Sequence, residues 1–382
     1  MTSNNKVLII CPFTSPNQGG VESHIQKLTQ FLKKKNKKAI IISYQPLTTP
    51  VKAKGYEKKE NYEIYRMPWF ANGLFPKIEH NSILTFLYLV PGILFLSLMV
   101  GIKRRKEIGV IHSHGFAAGF VGTILGGILR KRKVISTHAI YNFENRPFLA
   151  FLIRNILFHY DYVLAVGEPS RQELIKIGIP KEKIAIHPNW IDTDFFKPNI
   201  KIKSKTIQII FVGRGLKKKG IFLFGEIAKS NPSLNFVSIV GDGPDRKTFI
   251  DRYKNLKNLM IITRLPSDYK KKMMAIRDNY QSSDIFIMPS LYAEGFASVI
   301  LESAGSGLAI ISSNKGTLLS ILKNSGAVLI DPTLKNFNNE IKKLVNNKKV
   351  LHEKQHKMRQ FALKKFSDMN AKIIYNRYTA HD

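Results

Sequence analysis

Short apolar runs alternate with amphipathic stretches along most of this chain. In the first half the runs fall at Lys6 to Cys11, Lys38 to Ser43, Gly109 to Ser113, Lys133 to Thr137, Asp161 to Val166 and Lys183 to His187. In the second half they fall at Ile207 to Val212, Phe236 to Val240, Asp284 to Met288, Leu308 to Ser312 and Ala327 to Ile330. These runs are continuous instead of alternating, which predicts strands buried on both faces, as in parallel sheets. Between them apolar residues recur at helical spacing, and Val21, Ile25, Leu28 and Leu32 form one such stripe. Strand and helix alternating in two blocks predict an α/β protein with two doubly wound parallel-sheet domains facing a central cleft, where ligands meet the carboxyl ends of strands. Pro188, Pro198 and a polar run interrupt the pattern between His187 and Lys205. The expected domains are therefore 1–190 and 205–360, followed by a terminal segment 361–382.

The segment Ile83 to Ile102 departs from this alternation. It carries no charge, and as a helix it would run about 30 Å, enough to cross a bilayer. A crossing is rejected because Lys6 to Cys11 and Gly109 to Ser113 are expected in one sheet, and a single span between them would put them on opposite sides. Pro91-Gly92 interrupts the run. The expectation is a helix pair or bent hairpin, residues 83–102, half-buried in a membrane interface and flanked by Trp69, Phe70 and Phe75. The competing reading is an unusually apolar helix packed inside the first domain.

Charge adds a partner to this picture. The 382 residues hold 60 Lys and Arg against 27 Asp and Glu, a net charge of +33. In the first half the cations are clustered, at Lys33-Lys34-Lys35 with Lys37-Lys38, at Lys103-Arg104-Arg105-Lys106 and at Arg130-Lys131-Arg132-Lys133. Such clusters beside apolar helices suit an anionic membrane surface, each nearby cation contributing ~1 kcal/mol. Lysine-rich helix ends are also ordinary dipole partners. A nucleic-acid-binding protein is the remote alternative, and it is set aside because the clusters lack interleaved aromatic platforms. An apolar content of 44% excludes a disordered or fibrous chain. Cys11 is the single cysteine, which rules out an internal disulfide or thiolate metal site, and its expected role is a small buried hydrophobe. No signal peptide opens the chain, so the expected location is the cytoplasm, attached peripherally to the inner face of the cell membrane.

The chemistry concentrates in the second half. The apolar run closing at Met288-Pro289-Ser290 leads into Glu294-Gly295-Phe296, with Glu302 eight residues on, early in a helix expected to begin near Phe296. Two carboxylates beside a helix start suit a ligand carrying both hydroxyls and phosphate. Upstream, Ile207 to Val212 runs into Gly213-Arg214 and then Lys217-Lys218-Lys219-Gly220. Arg214 offers a planar fork to phosphate oxygens and Lys219 a point charge, while Lys217 and Lys218 read as solvated. Val240-Gly241-Asp242-Gly243-Pro244 reads as a tight turn, structural first and ligand-facing second.

Taken together, Phe211-Val212-Gly213-Arg214, Lys219-Gly220, Val240 to Pro244, Met288-Pro289-Ser290 and Glu294 through Glu302 resemble the ordered motifs of the family 4 retaining glycosyltransferases, which have the GT-B fold. In the first half, Lys6 to Cys11 followed by Gly19-Gly20-Val21-Glu22-Ser23-His24 is similar to that family's first strand and glycine-rich loop. Ser136-Thr137-His138 resembles its inner histidine motif, and Pro188-Asn189 with Ile191-Asp192 its signature before the interdomain crossing. Phe361 to Tyr378 resembles the terminal helices that cross back to the first domain.

The resemblance implies transfer of a sugar from a nucleoside diphosphate sugar, with retention, to a lipid-linked or membrane-embedded acceptor in surface polysaccharide or lipopolysaccharide assembly. It implies that Arg214 and Lys219 neutralise the departing diphosphate and that Glu294 holds sugar hydroxyls. Glu302 would hold the ribose, and His138 would lie near the reacting sugar. Gly19, Gly20, Gly213, Gly241, Arg264, Gly295, Phe296 and Ala297 would complete the donor site. No cofactor or obligatory metal is expected: Asp192-Thr193-Asp194 has a metal-binding spacing but falls in the interdomain region. His24 reads as positional. Three positions depart from the family pattern, Trp190, Arg264 and Ala297, each adding bulk where glycine is common. An epimerase or a soluble-acceptor transferase of the same fold is the alternative.

Overall fold

The computed structural model describes residues 6–17, 20–48, 51–69, 73–79, 81–138, 143–199, 206–266, 268–292 and 298–379. The chain forms two compact units, Met1–Asn189 with Met369–Asp382, and Trp190–Asp368.

The first unit contains, in chain order, β1 (Lys6–Ile10), α1 (Gly20–Lys34), β2 (Ala39–Tyr44), β3 (Tyr56–Lys58), β4 (Tyr62–Met67), α2 (Phe75–Ile78), α3 (Ser82–Lys103), β5 (Ile108–His114), α4 (Phe116–Leu129), β6 (Arg132–Ser136), α5 (Pro147–Phe158), β7 (Tyr162–Ala165), α6 (Glu168–Lys176) and β8 (Ile184–Ile186). Among the described residues its sheet has the order β3-β4-β2-β1-β5-β6-β7-β8. All neighbours are parallel except the β3–β4 hairpin. The strands β1, β2 and β5 are buried almost end to end, as their unbroken apolar runs require. The order reverses between β1 and β5, which makes their carboxyl ends the switch point of this sheet.

The segment expected as a helix pair or bent hairpin is one helix, α3, continuous through Pro91. Proline removes the N–H that would pair with the Leu87 carbonyl, and the neighbouring rungs of the ladder are held by side chains from outside the helix. Tyr44 Oη donates to the Leu89 carbonyl at 2.6 Å and accepts from Ile93 N–H at 2.8 Å, while Trp69 Nε1 donates to the Tyr88 carbonyl at 3.0 Å. Gly92 leaves room for both rings, since a Cβ there would lie 2.6 Å from the Trp69 ring and 2.8 Å from the Tyr44 hydroxyl. Trp69 and Phe75, expected beside a membrane interface, instead pack in the unit's core with Tyr88, Leu89 and Ile93. Phe70 lies outside the described residues. By length and composition α3 could cross a membrane. It does not, because β1 and β5 on either side of it are paired strands of one sheet, Val7 opposite Val110.

One face of α3 is nevertheless open: Ile83, Leu84, Leu87, Phe95, Met99 and Ile102 are exposed, whereas Leu94 and Leu98 are half-buried against the core. Of the basic cluster that follows, Lys103, Arg105 and Lys106 are exposed, but Arg104 turns inward. Its guanidinium grips Glu63 on β4 at 3.0 Å and also Glu107, and Lys6 joins both carboxylates at 3.0 and 2.7 Å. Arg104 is therefore a clamp between α3 and the sheet, correcting its assignment to a lipid-facing cluster.

The second unit contains β9 (Gln208–Arg214), α7 (Ile221–Ser230), β10 (Asn235–Gly241), α8 (Arg246–Tyr253), β11 (Leu259–Ile262), α9 (Tyr269–Gln281), β12 (Ile285–Met288), α10 (Ser298–Gly305), β13 (Ala309–Ser313), α11 (Thr317–Leu322), β14 (Val328–Ile330), α12 (Leu334–Asn346) and α13 (Lys348–Lys365). Its strand order, β11-β10-β9-β12-β13-β14, is fully parallel and reverses between β9 and β12.

The division differs from the expected one at both ends. Residues 190–199, expected as the domain boundary, belong to the second unit because Trp190, Ile191 and Phe196 are apolar and bury there. Arg359 pins this stretch by donating to the carbonyls of Thr193, Phe196 and Gly305. Residues 361–368 also stay with this unit, since Phe361 and Phe366 pack in its core and Ile191 N–H donates to the Phe366 carbonyl at 2.8 Å. The segment that joins the first unit starts at Met369, with a terminal helix Met369–Thr379.

Candidate active site

In the second unit the two strands flanking the reversal, β9 and β12, end in loops that are locked together. Lys217–Lys219 form a single turn closed by Gly220, whose φ of +77° places it in the left-handed region. A Cβ on Gly220 would collide with the Pro289 carbonyl at the end of β12. Leu291 N–H donates to the Lys218 carbonyl at 2.9 Å, and the Tyr292 ring lies 5.0 Å from Lys218 Nζ and 5.4 Å from Lys219 Nζ. Arg214, the last residue of β9, is exposed beside this turn, and its Nε lies 3.4 Å from the Asp242 carbonyl. The expected diphosphate-binding pair thus sits on one strand-to-helix connection at the switch point.

The glycines of the next turn serve close packing. Gly241 is paired with Arg214 across the sheet, Gly215 N–H donates to the Gly241 carbonyl at 3.0 Å, and a Cβ on Gly243 would collide with the Gly215 backbone. Gly213 carries the same strand end. Arg246, not singled out by the sequence pattern, bonds Asp242 at 2.5 Å and also the Thr263 carbonyl, tying the ends of β10 and β11 together. Its place four residues after Asp242 on a helix start was the available signal. Arg264 follows as an exposed side chain in the loop after β11.

Glu302 lies on α10, 5% exposed, with the Tyr280 hydroxyl donating to it at 3.5 Å. Burial, and then the nearby Glu302 charge, pushes the Tyr269 phenol up to about 12 and the Tyr280 phenol well above its ordinary value. Both phenols therefore stay protonated and can donate. Glu294, Gly295, Phe296 and Ala297 lie outside the described residues, as does Gly19. Gly20 opens α1 in the first unit, exposed and with open space where a Cβ would stand.

The first unit gathers five histidines at the switch-point end of its sheet. His112 and His114 end β5, His138 follows β6, His187 follows β8 and His24 lies on α1. The His24 ring centroid is 5.4 Å from His114, 5.1 Å from His138 and 5.5 Å from His187, and His112 is 4.1 Å from His114. His114 Nδ1 and His138 Nε2 are 3.0 Å apart. His112 bonds Tyr378 Oη of the terminal helix through Nδ1 at 2.5 Å and Ser136 Oγ through Nε2 at 2.9 Å. Burial holds all five imidazoles below their usual range, to about 4 for His138 and about 3 for His187, so they are neutral. The sequence pattern points to His138 and His24. It does not single out His112, His114 or His187, although alternate histidines at the carboxyl end of an apolar run were a readable signal. Cys11 is buried with its thiol donating to the Phe13 carbonyl at 3.0 Å, and burial raises its pKa far above a reactive range.

Residues 192–365 match the family described as Glycosyl transferases group 1, and residues 18–195 match Glycosyltransferase Family 4. The chain belongs to the group 1 glycosyltransferases of the family 4 type. It is an enzyme of the GT-B fold class, whose two parallel α/β units are those described above. Among similar proteins, the phosphatidylinositol N-acetylglucosaminyltransferase GPI3 subunit of Saccharomyces cerevisiae is 25% identical over 358 residues, spanning 86% of this chain and 72% of the relative. Sucrose-phosphate synthase from Thermosynechococcus elongatus superposes with a TM-score of 0.75 at 16% identity, covering 98% of each chain. Anabaena HepE, solved in complex with UDP and glucose, gives a TM-score of 0.71 at 14% identity over 99% of this chain and 100% of its own.

The Asp192-Thr193-Asp194 spacing has a structural use in this glycosyltransferase. Asp192 Oδ1 accepts from the N–H groups of Asp194 and Phe195, both at 3.0 Å, and so caps a turn. Among the described residues no group of three or more His, Cys, Asp or Glu side chains is arranged to hold a metal ion.

Proposed function

We propose that this glycosyltransferase moves a sugar, with retention, from a nucleoside diphosphate sugar to a lipid-borne acceptor at the cytoplasmic face of a membrane, in surface polysaccharide or lipopolysaccharide assembly. The observation that carries the reading is the locked pair of loops at the β9–β12 switch point, which fixes Arg214 and Lys219 on one connection. A leaving diphosphate gains negative charge as the sugar departs, and preformed cations stabilise that charge without reorganising. Two fixed cations make a divalent ion unnecessary for this step, so transfer should survive excess chelator. Glu302 is the ribose partner, Glu294 the sugar-hydroxyl partner, and Gly19, Gly20, Gly213, Gly241, Arg264, Gly295, Phe296 and Ala297 line the donor. His138 is assigned to the reacting sugar or its diphosphate, and attack comes from the face the diphosphate leaves. The HepE complex with UDP and glucose supports a nucleotide-sugar donor in this fold.

The exposed apolar face of α3, ending in Lys103, Arg105 and Lys106, supports peripheral attachment to an anionic membrane. The name of the yeast relative favours a second acceptor, the headgroup of phosphatidylinositol. Purified protein incubated with a panel of labelled nucleotide sugars and either native membranes or phosphatidylinositol vesicles separates these, with label scored in extracted lipid. Label in membrane lipid that Arg214→Ala and Glu294→Ala both abolish supports the proposal. Near-normal turnover in both variants, or label only in soluble product, overturns it.

A further inference from the structure

The five-histidine cluster contains one contact with a chemical consequence beyond packing. His114 Nδ1 and His138 Nε2 are 3.0 Å apart, and two ring nitrogens at that distance share one proton. His138 is half-buried, while His24, His112, His114 and His187 are buried. His114 Nε2 is a buried atom with no hydrogen-bond partner among the described residues.

Two neutral arrangements are available. In one, His138 Nε2–H donates to His114 Nδ1, which forces the His114 proton onto Nε2 and buries an N–H with no acceptor. In the other, His114 Nδ1–H donates to His138 Nε2, leaving a bare lone pair on His114 Nε2 and a proton on His138 Nδ1. An orphaned buried donor is the rarer and costlier defect. We infer that His114 is a positioning residue that holds His138 as its Nδ1–H tautomer, so that His138 offers a bound ligand a hydrogen-bond donor and not a proton acceptor. Protonation of both rings does not compete, because burial disfavours charge on either and the neighbouring imidazoles add to this at His114. The ligand matched to such a donor is an oxygen carrying negative or developing negative charge, a sugar hydroxyl or a phosphate oxygen. Two further hydrogen bonds on the same strand support the order of the cluster: Tyr378 and Ser136 hold His112 from both sides, and its ring lies 4.1 Å from His114.

The inference rests on the proposed role of His138 for its catalytic meaning, but its first test does not. Full-length protein labelled with ¹⁵N-histidine is examined by long-range ¹H–¹⁵N correlation at neutral pH, with His138 assigned as the signal missing from His138→Asn. The expected pattern for His138 is a protonated, pyrrole-type Nδ1 and a bare, pyridine-type Nε2. The reverse pattern, or protonation of both nitrogens, overturns the inference whatever the protein catalyses. In transfer assays, His114→Asn, whose amide N–H stands near the place of Nδ1–H, should keep turnover within a few-fold of the parent. His114→Leu should lower kcat about 10- to 100-fold with a smaller change in KM, by analogy with the loss of partners that orient metal-binding imidazoles. Equal kcat in the two variants overturns the positioning role. Should His114→Leu fail to fold, the tautomer read in the parent protein still decides.

Discussion

Tyr44 Oη stands between the Leu89 carbonyl and Ile93 N–H, inside the hydrogen bond that these two groups of α3 would otherwise share. The hydroxyl satisfies a donor and an acceptor at once, two rungs on from the one that Pro91 removes. Tyr44→Phe leaves both buried groups without a partner, and the expected cost is about 1–3 kcal/mol. It should appear as a lower urea midpoint with an unchanged slope. An unchanged midpoint would mean that the helix closes its own bond and the hydroxyl is ornamental.

Gly92 is set by the same arrangement. In an ordinary helix Gly→Ala gains up to about 1 kcal/mol. Here the new methyl would meet the Trp69 ring at 2.6 Å and the Tyr44 hydroxyl at 2.8 Å, and overpacking of this kind costs about 1–3 kcal/mol. Gly92→Ala should therefore destabilise. A stabilised variant would show that Trp69 can retreat.

These two positions also show where sequence patterns lose their grip. The strands of both sheets are visible because long apolar runs have few other uses, and the motif residues Gly213, Arg214, Lys219 and Gly220 fall together because they share one strand-to-helix connection. Pro91-Gly92 was misread because its compensation comes from Tyr44, 47 residues upstream of Pro91, and no local pattern carries that contact. The edge hairpin β3–β4 was not recognised because β3 is short and exposed. Arg104 reads as one cation in a run of four, and only the fold brings Glu63 and Lys6 to it. His112 and His114 end β5, His138 follows β6 and His187 follows β8, and they become a cluster only when the sheet aligns those strand ends.

The histidine cluster makes the first unit acid-sensitive. Burial lowers the folded-state pKa of His138 to about 4 and of His187 to about 3, with His24, His112 and His114 also well below the ordinary value, against about 6.5 in an unfolded chain. Below pH ~6.5 the unfolded chain binds protons that the folded one refuses, so stability is full above that pH and falls as pH drops toward 4. Each imidazole contributes a slope of ~1.4 kcal/mol per pH unit in this window. Glu63 and Glu107, lowered to about 2 chiefly by the Arg104 hydrogen bonds, lose their contribution only at lower pH, below about 4.5. Urea unfolding of the first unit's transition between pH 8 and pH 5 should show a steep loss beginning near 6.5, shallower in His187→Val by about one proton. A flat profile across that range would contradict a neutral buried cluster.

Gly220 links stability to the turn proposed to bind the diphosphate. At φ +77° any side chain is strained, and its Cβ would collide with the Pro289 carbonyl. Gly220→Ala should cost more than ~1 kcal/mol and separate the loops after β9 and β12, displacing Lys219. Transfer should then fall by more than the loss of folded protein explains, when rates are normalised to the native fraction. A variant that is destabilised yet fully active per folded molecule would detach Lys219 from the diphosphate.

Attachment to a membrane can be tested without disturbing the core, because the α3 side chains divide cleanly. Leu87 is 61%, Phe95 56% and Met99 55% exposed, whereas Leu94 and Leu98 pack inward. With a little over half of each side chain still exposed, burying the rest in lipid is worth about 1–2 kcal/mol apiece. Serine at all three positions should lower partitioning to anionic vesicles more than ~100-fold while the thermal midpoint stays put. Among the following cations, Arg105→Ala and Lys106→Ala should each weaken binding by ~1 kcal/mol in a salt-dependent way. Arg104→Ala should instead lower stability, since its guanidinium is held by Glu63 and Glu107. Unchanged partitioning of the triple-serine variant would remove α3 from the membrane and leave its exposed face to another partner.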